Sequence, residues 1–310
     1  MVSASKSPVY GRRSAPEALA GATDAESGGL LPNIHIGETQ ELKFLAGLPA
    51  VGEPYSPRQP ATQNLKALIE EKNYQGNFES AIRFVAEQRV PELSQIKTLE
   101  QFYFYVDTLA TWVPEIRHWT SDGKTMHERT VYLRIVQFYY YFNLRELDYL
   151  QSPIDPVEGK TLTPLSSWLH SFALEWGSFL DTPESANLLQ SFKSAPEYNY
   201  QDYQKNPEDY LTFNEFFARQ FRDIETMRPV AQSDNDRIIT FPAESTYVGQ
   251  WTVSTEKPPS IVVKHIEWSI QELLNDSDYS ADFTGGRFCH SFLNTYDYHR
   301  LHTPVAGKVI

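Results

Sequence analysis

The densest cluster of titratable side chains is NTYDYHRLH, Asn294 to His302, where Asp297, His299, Arg300 and His302 fall within six positions. Histidines three apart face similarly on a helix or a turn. Two imidazoles and a guanidinium can hold a substrate carboxylate and move protons near neutral pH. Two imidazoles and a carboxylate can instead share a zinc ion, and the same spacing also suits a plain hydrogen-bonded turn. Glu244, in FPAEST, is the other notable acid. On a loop a glutamate ordinarily sits in solvent; accepting one imidazole N–H, it would fix the tautomer and raise the basicity of the other ring nitrogen. Such a couple needs a nucleophile. Gly177-Ser178 offers a hydroxyl but lies in an apolar helical stripe and reads as helix surface. Cys289, between Phe288 and His290, reads as a small buried residue, and Lys264, after Val262 and Val263, as an exposed strand-end lysine.

The elements that must carry these groups divide the chain. Residues 1–60 hold seven of the 20 prolines and seven of the 15 glycines and read as a flexible tail. Residues 61–205 read as a helical domain. Leu65, Leu68 and Ile69, then Phe78, Ile82 and Val85, recur at helical spacing. Thr98 with Gln101 reads as a capping box opening a helix with Leu99, Phe102, Tyr103, Val106 and Leu109 on one face, which Pro114 is expected to end. Val131, Ile135, Phe138, Tyr139 and Phe142 form another stripe, Leu165 to Phe179 a third, and Thr182-Pro183-Glu184 starts a short helix. A polar linker, Glu197 to Tyr210, sets a boundary near residue 205. Beyond it, Thr212 and Glu215 make a capping box before FFARQF. Ile238 to Phe241, Thr246 to Val253, Ser260 to Val263, Arg287 to Leu293 and Lys308 to Ile310 read as strands of a sheet or barrel, with one helix inserted among them at a Ser269 and Glu272 capping box before Leu273 and Leu274. The fold class expected is α+β: a helical N-terminal domain, then a β-rich domain over 206–310.

Composition excludes several functions. The chain has 27 Lys plus Arg against 40 Asp plus Glu, a net charge of −13, so general charge cannot supply affinity for nucleic acid or anionic lipid. No apolar run approaches a membrane span; Val131 to Phe142 is interrupted by Arg134 and Gln137. The N-terminal residues lack a signal-peptide core. The single Cys289 allows neither an intramolecular disulfide nor a Cys-rich zinc site, which suits a cytoplasmic protein.

Four segments in one order resemble the phosphatidylserine decarboxylase family: FNEFFARQF with Arg228-Pro229, FPAES, VVKHIEWSIQELL, and NTYDYHRLHTPVAGKVI. The last, DYHR-x-H-x-P-x-x-G, is matched at every signature position. The resemblance covers residues 206–310. Residues 64–192, through LKALIE and WGSFL, are similar to the N-terminal extension of the branch that includes fungal L-tryptophan decarboxylases.

The resemblance implies a lyase that decarboxylates an aromatic L-amino acid or phosphatidylserine with a pyruvoyl group made autocatalytically from its own serine. By it, His302 matches the base of a triad, Glu244 stands where lipid-using members carry aspartate, and His299 with Arg300 matches groups that hold the substrate carboxylate or assist its loss. The family's nucleophile is the serine of a downstream Gly-Ser pair, which starts the α-chain that partners the rest. No Gly-Ser pair follows His302 here. The expectation is therefore a domain incomplete at its C-terminus that neither self-cleaves nor decarboxylates alone. The lack of an anchor favours a soluble amino acid over a lipid. The alternatives are a non-catalytic interaction module and, as a minor reading, a zinc hydrolase.

Overall fold

A computed structural model gives the fold and describes residues 44–90, 92–121, 124–128, 130–152, 161–232, 234–235, 237–256, 259–263, 266–274 and 277–307. Residues 1–43 of the expected tail, Lys264 and the expected strand Lys308–Ile310 lie outside the described residues. The chain forms two compact units: among the described residues, one holds everything before Ser245 and resumes at Thr295, and the other is Ser245–Asn294.

The first unit is built on helices whose apolar faces, apart from that of the four-residue Arg145–Asp148, were legible as 3.6-residue periods. They are α1 (Pro60–Glu71), α2 (Gln75–Glu87), α3 (Leu99–Ala110), α4 (Thr130–Phe142), α5 (Arg145–Asp148) and α6 (Pro164–Leu180). Their core is aromatic. Phe138 stacks on Phe172 at 4.7 Å, and Phe102 meets Tyr141 edge-on at 4.9 Å, geometries that add about 0.5–1.5 kcal/mol each beyond area burial. The Thr98 hydroxyl accepts from Gln101 N at 3.3 Å, a cap worth about 1 kcal/mol. α3 stops at Ala110, before Pro114. Arg134 and Gln137, polar positions in the α4 stripe, are fully buried and share Glu92: Arg134 Nη2 donates to Glu92 Oε1 at 3.1 Å, Gln137 Nε2 donates to Glu92 Oε2 at 3.0 Å, and Arg134 Nη1 donates to Gln137 Oε1 at 2.7 Å, while Arg134 Nε has no partner. The Arg134 guanidinium also lies 3.6 Å from the centre of the Phe44 ring.

Residues 44–59, read from sequence as the end of a flexible tail, are anchored to the helices at several points, although much of the segment is exposed. Phe44 and Leu45 are buried, and Asp107 on α3 accepts from Tyr55 Oη at 2.6 Å and from the backbone N–H of Arg58 at 2.7 Å. No seam appears near residue 205 either: Phe192 packs on Phe216 at 4.9 Å, and Tyr203 pairs with Phe221 across an isolated bridge. Aromatic side chains on both sides of the polar linker share one core, which its polar backbone composition did not reveal. A hairpin of β1 (Arg117–Ser121) and β2 (Lys124–Glu128), unexpected from sequence, joins α3 to α4.

The second unit carries the expected strand character in two separate two-stranded sheets. β3 (Thr246–Thr252) runs antiparallel to β6 (Arg287–Phe292) with a register shift between Tyr247 and Gly249, and β4 (Ser260–Val263) pairs with β5 (Ile266–Ser269). A short helix (Ile270–Leu273) follows, where the Ser269 hydroxyl accepts from Gln271 N at 3.1 Å. Val253, Ile261 and Ile270 form its small core, with Trp268 and Phe288 packed against it. Alternation along β6 puts Phe288 against that core and so leaves Cys289 exposed, which corrects the expectation of a buried cysteine. Among the described residues no helix is long and apolar enough to cross a membrane.

Candidate active site

The site belongs to the first unit and begins at a short helix, Phe213–Phe217. The Thr212 hydroxyl caps it, accepting from Glu215 N at 3.0 Å, while Glu215 Oε2 accepts from Leu211 N at 2.8 Å. Lys205 pairs with the other Glu215 oxygen, and these donors, Lys205 foremost, hold the Glu215 carboxyl below its usual range. Just past the helix, Arg219 is only 2% exposed. Its Nη2 donates to the carbonyls of Tyr296 at 2.6 Å and Asp297 at 2.9 Å. Its Nε and Nη1 have no hydrogen-bond partner, and the charge rests on aromatic faces, with Tyr203 4.4 Å and Phe216 5.1 Å from the guanidinium carbon. Arg300 Nε donates to the Ala218 carbonyl at 2.7 Å, and the His299 ring stacks on Phe217 at 3.8 Å. The FNEFFARQF segment is thus the cradle of DYHRLH.

The second support is backbone pairing. Ile238 to Phe241 is not a strand, yet Thr240 N donates to Pro304 O at 3.0 Å and His302 N to Pro242 O at 2.8 Å. Two such bonds two residues apart define an antiparallel register.

Glu244 and His302 both line a cavity of about 900 Å³, together with Phe221, Met227, Arg228 and Tyr298. Glu244 Oε1 accepts from Arg228 Nη2 at 2.7 Å; its Oε2 is buried without a hydrogen-bond partner. Arg228 lies over the Phe221 ring at 4.6 Å, with Asp202 Oδ2 4.0 Å from Nη2. Burial works against its charge, but the hydrogen bond and negative charge of Glu244, with Asp202 behind, raise its pKa above the ordinary arginine value. The His302 ring is exposed and stacks on Tyr298 at 5.7 Å. Tyr298 is buried against Tyr203 and Phe221, and that burial pushes its hydroxyl pKa up despite Arg300. Among the described residues no hydrogen bond joins Glu244 to His302.

Of the residues singled out from sequence, then, Glu244 and His302 meet at one cavity, whereas His299 and Arg300 are engaged by the Phe213–Phe217 helix and the residue after it and are not in the lining. The two histidines do not face alike, for each ring lies on a different aromatic. Ser178 is exposed on α6 and donates to Leu174 O, as a helix-surface serine does. Among the described residues no group of three or more His, Cys, Asp or Glu could hold a metal ion. Sequence reasoning did not assign a role to Arg219 or Arg228; their only signal was membership of the quoted segments.

Comparison with known proteins places this geometry. Residues 213–310, about a third of the chain, match the family described as phosphatidylserine decarboxylase. The chain is 34% identical over 141 residues to phosphatidylserine decarboxylase proenzyme 3 of Schizosaccharomyces pombe, covering 46% of this chain and 14% of that protein. It is 29% identical over 139 residues to a phosphatidylserine decarboxylase proenzyme of Fusobacterium nucleatum, covering 44% of each. To an L-tryptophan decarboxylase of Psilocybe cyanescens it is 26% identical over 159 residues, 44% of this chain and 36% of that protein. The chain therefore spans less than half the length of each of these relatives. From Phe213 onward, the stretch that supplies Arg228, Glu244 and His302 matches the phosphatidylserine decarboxylase family.

Proposed function

We propose that this protein works as a pyruvoyl-dependent decarboxylase of an aromatic L-amino acid of the tryptophan kind, with phosphatidylserine as the competing substrate. The observation that carries this reading is the placement of Glu244 and His302 on one cavity through the 240–304 backbone register. The residues fit the formation of such a group, because Glu244 Oε2 is a buried acceptor without a partner, available to one imidazole N–H. The pyruvoyl group would supply an electron sink for the pair left behind as CO₂ departs.

The protein's own part is positioning and proton movement. Glu244 Oε2, accepting from one His302 nitrogen, would fix the tautomer and leave the other nitrogen to take the proton of a serine hydroxyl presented to the cavity. Phe221, Met227 and Tyr298 give that cavity an apolar wall suited to an aromatic ring. His299 and Arg300 enter as partners of the substrate carboxylate from the family resemblance alone. A polypeptide of residues 1–310 by itself presents no Gly-Ser pair after His302 and is proposed to be inactive without a C-terminal α-chain. The test is amine release from L-tryptophan and from phosphatidylserine vesicles, using residues 1–310 continued by a segment bearing the Gly-Ser pair. Release of tryptamine but not of the ethanolamine lipid is expected; lipid turnover alone would overturn the substrate assignment, and no turnover of either would overturn the activity.

A further inference from the structure

The geometry points to Arg228 as a positioning residue: it holds Glu244 by one carboxylate oxygen, so that the other is the one presented to His302, and it sets the charge that His302 meets. This rests on the reading of Glu244 and His302 as a working pair. A carboxylate on a loop has two equivalent oxygens and several rotamers, and an acid meant to orient an imidazole must lose that freedom. Arg228 removes it, since Nη2 takes Oε1 at 2.7 Å and Oε2 is left buried and unpartnered.

Arg228 is itself fixed from three sides. Its backbone N–H donates to Ile224 O at 2.8 Å at the end of the Ile224–Met227 turn, its Nη1 donates to Met227 O at 2.9 Å, and its guanidinium lies on the Phe221 ring. Pro229 follows and restricts Arg228 further through its own ring. The charged and titratable groups around the cavity are Glu225 and Arg228 from this turn, Asp202 and Tyr203 from the linker side, Glu244, and Tyr298, Arg300 and His302 from the last segment. Among them Arg228 is the cation in contact with Glu244. Removing it should return Glu244 to several rotamers, so that Oε2 no longer stays on the one imidazole nitrogen it orients.

The experiment is nitrogen-15 NMR of the neutral His302 imidazole in the intact 310-residue chain, with the resonances assigned by their disappearance in His302→Asn. The parent should show one ring tautomer, Glu244→Ala should give a mixture of the two, Arg228→Met should do the same although Glu244 is still present, and Arg228→Lys, which can still donate to Oε1, should keep more of the parent's preference. If Arg228→Met fails to fold, as judged by circular dichroism, Arg228→Gln is read in its place. One tautomer kept in Arg228→Met but lost in Glu244→Ala would overturn the role of Arg228 and leave the pair intact. One tautomer kept in Glu244→Ala, or a mixture in the parent, would instead overturn the pair.

Discussion

His302 donates its backbone N–H to the Pro242 carbonyl at 2.8 Å, and with the Thr240–Pro304 bond this pairing is what brings the acid-bearing segment beside the imidazole-bearing one. Glu244 and His302 lie 58 positions apart, with the second compact unit inserted between them. A pairing of two bonds, rather than a long ladder, carries the juxtaposition.

That dependence is open to test at Thr240, which donates both its N–H and its hydroxyl to Pro304 O. Thr240→Pro removes both donors. The expected outcome is a modest loss of stability, about 1 kcal/mol in urea unfolding, together with loss of the effect of Glu244→Ala on the His302 tautomer. An unchanged Glu244 effect would show that the register is not what places the pair.

Arg219 should matter more to stability than any other residue of the FNEFFARQF segment. Arg219→Met would leave the Tyr296 and Asp297 carbonyls without their donor while keeping much of the aromatic packing, and a loss of about 2–3 kcal/mol in urea unfolding is expected, with a changed environment for His299. A variant as stable as the parent would mean that the aromatic faces alone fix the loop.

The folded-state pKa of Glu215 is depressed, chiefly by its hydrogen bond from Lys205 and then by the Leu211 N–H. A carboxylate of this kind contributes stability that is present above its unfolded pKa and is lost as pH falls through the lower folded value. Glu215→Gln should therefore be less stable than the parent at pH 7, with the difference shrinking as acid protonates the parent. A difference independent of pH between 7 and 3 in urea unfolding would refute this.

In the helical core, Glu92 and Arg134 form a fully buried pair in which each depends on the other. Removing one partner, as in Glu92→Leu or Arg134→Met, should cost about 3–5 kcal/mol, and the double variant should lose much less than the two losses combined. Additive losses in urea unfolding would show that the two residues act independently.

Much of the fold was legible because α1 to α4 and α6 are amphipathic, and a 3.6-residue period survives in the sequence whatever packs against it. The Thr98 and Thr212 hydroxyls cap helices as their types and spacing predicted, although the Gln101 and Glu215 side chains reach back to Lys97 and Leu211 rather than to the capping residue itself. The β1–β2 hairpin was not legible, since Arg117, His118, Thr120 and Ser121 show no apolar alternation. Glu244 and His302 could be singled out by residue type and family pattern. Arg228 could not be assigned to Glu244, nor Arg219 to Tyr296, because the two pairs span 16 and 77 positions with no local period to link them. Cys289 was misread because burial of a free cysteine is a tendency of the residue type, whereas its exposure follows from the face of β6 on which it falls.

The central claim is that Glu244 and His302 act together to activate a hydroxyl, and self-cleavage tests it most directly. Residues 1–310 continued by a segment bearing the Gly-Ser pair should cleave at that pair, and Glu244→Gln and His302→Ala should each slow cleavage by about 10²-fold or more, followed by gel and mass spectrometry over time. Cleavage of both variants at the parent rate would contradict it.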